Sequence, residues 1–329
     1  MDRISAGGLP ARLRSWCTAL TLGVACLGAA AQDKAPDGYP SHPVRLVVAG
    51  GADQLARILA DRLTARWGQA VFVEEKSGAS GALATTFVAT QPPDGYNLLL
   101  TTVALSSQNI LQKRPPGQGE LVPVNMIATL PFVLVVNNEL PVKTLPELVA
   151  YAKAHPGKLN YGSAGIGAPG QMAAEMLKQM AGIDMVFVPY KTVAQAVTDV
   201  VSGQIQLIFS PAPGAISLIK AGKVRPLAVG STRRYKGLPD VPTVAESGYP
   251  DYLLTGWNGI HTTPRTPPAI LDRIASDIAA VMVTPEAQER AEGAGFEPVV
   301  MARKDFEAFL ASDTQRIGKV IRDGNIKAE

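Results

Sequence analysis

The chain of 329 residues has two cysteines, Cys17 and Cys26, and three histidines, His42, His155 and His261. Both cysteines fall within the first 31 residues, so no disulfide can staple residues 32–329 and a large core must hold them. The histidines are widely separated, and neither His-x-x-x-His nor Cys-x-x-Cys occurs, so the sequence supports no metal site. A Gly-x-Ser-x-Gly nucleophile elbow and a Gly-Lys-Ser/Thr phosphate loop are also missing. We therefore expect no catalytic residues, no metal and no cofactor. Charge is nearly balanced, with 31 Lys and Arg against 28 Asp and Glu, which argues against nucleic acid or a membrane surface as a partner. Beyond residue 31 no apolar run is long enough to cross a bilayer.

Residues 1–31 read as an export signal that is cleaved. Arg3, Arg12 and Arg14 form the basic start, 17–27 is mostly apolar, and Ala29-Ala30-Ala31 precedes the expected cut before Gln32. A lipoprotein signal at Cys26 is the alternative, although Gly23 stands where such signals carry leucine. A soluble exported protein, monomeric once cleaved, is expected.

The rest alternates strands with helices. Residues 44–48 read as a buried strand, Ala49-Gly50-Gly51-Ala52-Asp53 as a turn, and Leu55, Ile58, Leu59 and Leu63 as the stripe of a helix that Gly68 ends. Asp53 is placed to cap it. The same unit recurs at 160–170, where Pro169 opens a helix with Met172, Met176, Leu177 and Met180 on one face. Glycines permit positive φ and close backbone approach, and a helix N-terminus favours an anion. This second turn reads as an anion-binding loop, with a ligand-free turn as one rival. The other is a dinucleotide loop, since Gly165-x-Gly167-x-x-Gly170 has that spacing, but Asp184 precedes the next strand instead of ending it.

Further strands are read at 71–73, 97–101, 132–136, 185–188, 206–209 and 226–229, and further helices at 82–89, 145–154, 193–202, 216–221, 267–283 and 304–322. Residues 78–81 read as a small-residue turn and 113–118 as a basic loop. Thr101, Thr102, Ser106 and Ser107 lie where the 97–101 strand ends, the place where α/β sheets bind ligands. The alternation argues for an α/β fold with mostly parallel sheets flanked by helices.

Taken together, these segments resemble the Bug/TctC family, the periplasmic solute-binding receptors of tripartite tricarboxylate transporters. The resemblance runs from Tyr39 to Glu329. It rests on Tyr39-Pro-Ser-His-Pro-Val-Arg-Leu-Val-Val48, Gly50-Gly51, Pro93-Asp-Gly-Tyr96 and Leu159-Asn-Tyr-Gly-Ser-Ala-Gly165. Val188-Pro-Tyr-Lys191, Ala221-Gly-Lys-Val-Arg225 and Leu238-Pro-Asp-Val-Pro-Thr-Val244 add to it.

The resemblance implies a two-lobed periplasmic-binding-protein fold, type II like, with lobes at 32–132 plus 258–329 and at 133–257, joined by two crossing strands. A small organic anion, typically a carboxylate, would sit in the cleft and pass to membrane permease subunits. The site residues implied are Ala49, Gly50, Gly51, Asp53, Thr101, Thr102 and Ser106 in one lobe. In the other they are Ser163, Ala164, Gly165, Gly167, Ala168, Gln171, Tyr190 and Ser210. N–H groups of Gly50, Gly51, Ser163, Gly165 and Gly167 are the expected anion donors. Tyr190 serves as wall or core, Lys191 attracts the anion or is solvated, and Trp257 is read as hinge packing.

The chain departs from the family pattern at four places. The first loop usually reads Pro-Phe-x-x-Gly-Gly, whereas Val48 here runs straight into Ala49-Gly50-Gly51. Ala168 and Gln171 stand for a usual Ser and His, Ser210 for a common Asp, and Thr101-Thr102-Val103 for a common glycine. Loss of that Asp removes a partner for an amino group, so no preference for amino acids is expected. A sensor, an exported enzyme and a scaffold that has lost binding are the other functions this chain could serve.

Overall fold

The computed structural model describes residues 38–76, 81–111 and 120–327, so the export segment, most of the 78–81 turn and the 113–118 loop lie outside the described residues. The chain begins with β1 (Val44–Val48), α1 (Asp53–Trp67), β2 (Val71–Glu75), α2 (Ala82–Ala89), β3 (Asn97–Thr102) and α3 (Ala104–Leu111). The strands lie parallel in the order β2-β1-β3. β-Branched and leucine side chains make β1 and β3 fit a sheet covered on both faces. α1 forms because Leu55, Ile58, Leu59 and Leu63 recur on one face, and all are buried. Each contributes roughly 1.5–3 kcal/mol relative to exposure. Gly68 ends the helix at φ 65°, its N–H donating to the Thr64 carbonyl. The expected Asp53 cap is corrected: the helix already includes Asp53, and its N-cap is Ala52, with no side-chain cap.

β4 (Val122–Asn137) is 16 residues long and links the two halves. A second βα wing comes next: α4 (Leu145–Ala154), β5 (Asn160–Ser163), α5 (Pro169–Ala181), β6 (Val186–Pro189), α6 (Val193–Ser202), β7 (Leu207–Pro211), α7 (Ala212–Lys220) and β8 (Val224–Val229). Here β7-β5-β6 run parallel. The chain returns through β9 (Thr255–Thr262), α8 (Pro268–Met282), α9 (Pro285–Gly293), β10 (Glu297–Met301) and α10 (Arg303–Asp323).

Among the described residues the result is one ten-stranded sheet with parallel wings and an antiparallel centre, ordered β2-β1-β3-β9-β4-β7-β5-β6, with β8 and β10 each pairing β4 off this path. The first half of β4 pairs with β9 and β10, and its second half with β7 and β8. The sequence pattern marks only 132–136 of β4. Its first half carries Pro123, Asn125 and Pro131 and shifts register at 123/125 and 126/128, which blurs the two-residue period. α3, α9 and β10 also lack a clear sequence signal. α9 is strongly polar and starts from a Thr284 cap followed by Pro285, not from an apolar stripe.

Each wing has its own core. Leu55, Leu59 and Leu63 of α1 pack with Ile274 and Ile278 of α8 in one. Met172, Ala173 and Leu177 of α5 pack with Leu134 and Val136 of β4, and with Ile317 and Ile321 of α10, in the other.

Candidate functional site

A cavity of about 250 Å³ opens where the C-terminal ends of β1, β3, β5 and β7 meet the crossing strands β4 and β9. Helices α1, α3, α5, α6 and α7 all start at its lining or within two residues of it. Of these, α1, α5 and α7 have no side-chain cap, although Pro169 and Pro213 carry no N–H and the Gln171 N–H donates to the Ala168 carbonyl at 3.0 Å. A dry cavity of about 150 Å³ holds benzene, so this one suits a ligand of roughly ten non-hydrogen atoms.

Among the described residues, no ionisable side chain lines the cavity. Leu130, Phe132, Ile208 and Phe209 make apolar walls, and Thr102, Ser163 and Asn258 supply polar side chains. Ser163 and Asn258 are each only 2% exposed, and neither side chain has a hydrogen-bond partner among the described residues. Buried polar groups normally find partners, so these two are free to bind something else.

Seven of the expected residues line the cavity: Ala49, Gly50, Gly51, Thr102, Ser163, Ala164 and Ala168. Gly50 and Gly51 adopt φ of 99° and 80°, a backbone that L side chains resist. Their N–H groups have no acceptor among the described residues.

The other expected contacts lie outside the cavity lining, and most have partners elsewhere in the fold. Gly165 N–H donates to the Ser163 carbonyl at 2.9 Å, and Gly167 N–H to Oε1 of Gln171 at 2.7 Å. Both amides and Gln171 are thus spent on holding the turn. Thr101 alternates to the opposite face of β3 from Thr102 and donates to the Gly259 carbonyl at 3.0 Å. Ser106 is buried in α3 and donates to Oδ2 of Asp313 at 2.7 Å. Tyr190 donates to Oδ2 of Asp199 at 2.7 Å. Burial first, then that carboxylate, pushes its hydroxyl up to about 12. Ser210 is fully buried beside α7, with Oγ 3.2 Å from the Pro211 carbonyl. Asp53 lies outside the lining.

Of the lining residues outside the expected set, two carry polar side-chain groups. Trp257 does pack, edge-on to Phe306, but it also lines the cavity, with its indole N–H donating to Oδ2 of Asp313 at 3.0 Å. Asn258 reads in the sequence as no more than part of a passage between lobes, Thr255-Gly256-Trp257-Asn258-Gly259. A signal exists: Asn is disfavoured in strand interiors, and this one sits between Trp257 and Gly259 in an apolar run. Behind this wall, His261 Nδ1 lies 3.0 Å from Thr101 Oγ1. Burial holds the His261 imidazole down at about 4.

The chain is similar to known proteins in both sequence and fold. The model of the tripartite tricarboxylate transporter family receptor matches residues 55–326. Protein BugT of Bordetella pertussis is 31% identical over 312 residues, covering 92% of this chain and 95% of BugT. Among solved structures, an R. palustris protein with adipate is 31% identical at a TM-score of 0.77, covering 88% of this chain and 99% of that one. The periplasmic binding protein BugD is 28% identical at a TM-score of 0.75, covering 88% of this chain and all (100%) of BugD.

Proposed function

The chain belongs to the tripartite tricarboxylate transporter receptor family, and on that premise we propose that it captures a small organic anion, a carboxylate, in this cavity and hands it to a membrane permease. The observation that carries the reading is the convergence of uncapped helix N-termini and two free glycine amides on one buried cavity. The adipate held by the R. palustris relative supports the ligand class. We read the chain as a receptor and not an enzyme, working in the periplasm after loss of residues 1–31. In this reading its lobes are 32–132 with 258–329, and 133–257, and they close on the ligand.

The magnitudes require several donors. Micromolar affinity needs about 8 kcal/mol, and one helix terminus supplies at most ~2 kcal/mol. Charge-assisted bonds of roughly 1.5–3 kcal/mol each, from Gly50, Gly51, Ser163 and the start of α5, make up the rest for one carboxylate. A second buried charge costs several kcal/mol and finds no cation among the described lining residues.

The test is a thermal-shift screen of the refolded, ligand-stripped protein against mono-, di- and tricarboxylates, aromatic acids and amino acids. Saturation at 100 times Kd adds about 2.7 kcal/mol and raises Tm by roughly 4 °C. A clear shift with one acid class is the expected result. No shift with any carboxylate would overturn the reading.

A further inference from the structure

Asn258 places a whole carboxamide in the cavity with nothing to bind. It is 2% exposed, lines the cavity and has no partner among the described residues. In the β3–β9 register it stands opposite Thr102, which also lines the cavity, so the two side chains share one face. Thr102 Oγ1 accepts from the Ala104 N–H at 3.4 Å, which leaves its own proton to donate. Phe132, Ile208 and Phe209 also line the cavity.

We propose that the cavity selects an organic anion with one charged end, and that Asn258, with Thr102, is the specificity determinant that reads an uncharged hydrogen-bonding group on the remainder of the ligand. This rests on the receptor reading above and narrows it. A carboxamide offers both a donor N–H₂ and an acceptor carbonyl. A carboxylate can only accept, so it satisfies the N–H₂ and leaves its charge against the Asn258 carbonyl. A hydroxyl gives and takes, matching both halves of the amide. The absence of any ionisable side chain from the described lining points the same way, because a second buried charge would lack a counter-charge. The carboxylate end belongs at Gly50 and Gly51, where the amides are open.

Three acids with one six-carbon body test this: hexanoate, 6-hydroxyhexanoate and adipate differ only at the far end, as methyl, hydroxyl and carboxylate. Calorimetric titration of the stripped full chain should find 6-hydroxyhexanoate about tenfold tighter than either of the others, the gain of one well-made pair of hydrogen bonds. Asn258→Leu should erase the preference over hexanoate while leaving hexanoate affinity within about threefold. Asn258→Asp, the same size but charged, should weaken hexanoate by at least about tenfold, because a second buried negative charge then shares the cavity with the ligand carboxylate and has no counter-charge. Thermal melts of both variants check that they fold. Adipate binding as tightly as the hydroxy acid overturns the inference and leaves the receptor reading intact. So does a hydroxyl preference that survives in both variants. Failure of all three acids also overturns it, whereas the receptor reading falls only if the broader carboxylate screen is blank as well.

Discussion

Two turns in this molecule share one sequence signature, a strand followed by glycines and a helix, yet they are built for different work. In the first, Gly50 and Gly51 keep their amides open and line the cavity directly. In the second, Gly165 and Gly167 have their amides taken, and the Gly167 carbonyl accepts from Ser107 Oγ of α3 at 2.6 Å. What the second turn offers a ligand is Ser163, Ala164 and the start of α5. A glycine-rich turn is thus a permission to place backbone near a ligand, and the surrounding side chains decide whether that permission is used.

The largest expected effect concerns the sheet behind the first turn. His261 is buried and neutral, with its pKa held down at about 4 from an ordinary 6.5. Between those values the unfolded chain binds the extra proton, so stability is complete above about pH 6.5 and declines as pH falls toward 4. The loss approaches roughly 3 kcal/mol. Urea melts at pH 7, 5 and 4, with and without His261→Asn, read it out. Equal pH slopes for the two proteins would refute the assignment.

Next comes the second turn's rigidity. A methyl at Gly170 would meet the Phe209 carbonyl oxygen at 2.7 Å and Ser163 Oγ at 3.0 Å. Gly170→Ala should cost about 1–3 kcal/mol, measured by chemical denaturation. A neutral result would mean that α5 can slide outward, and that the turn is looser than its contacts indicate. Gln171→Leu deletes the acceptor of Gly167 N–H and leaves a buried donor unpaired. It should cost about 1–3 kcal/mol while changing carboxylate affinity by less than about threefold. A larger affinity loss would bring Gln171 back as a ligand contact.

The smallest stability effect should come from the first turn. A methyl at Gly51 meets nothing within 4 Å, so Gly51→Ala carries only the strain of φ 80°, about 1 kcal/mol. Its effect on carboxylate affinity should exceed its effect on stability. The reverse order would erase the difference between the turns.

Pattern alone was enough for much of the fold. The stripes of α1, α5, α8 and α10 follow from the helical period, and the glycine stop at Gly68 from left-handed backbone. For the site, seven expected residues line the cavity because strand ends and glycine turns are local features. Ser106 and Tyr190 looked like ligand contacts but found Asp313 and Asp199, the first 207 positions away. Asn258 looked like a connector until β9 was set between β3 and β4.

Local chemistry therefore fixed which segments became strands, helices and turns, since period, propensity and φ preference act over a few residues. Which amides and side chains stayed unpaired was settled only when distant segments packed together. A hydrogen bond is a property of two groups, and the chain announces one of them at a time.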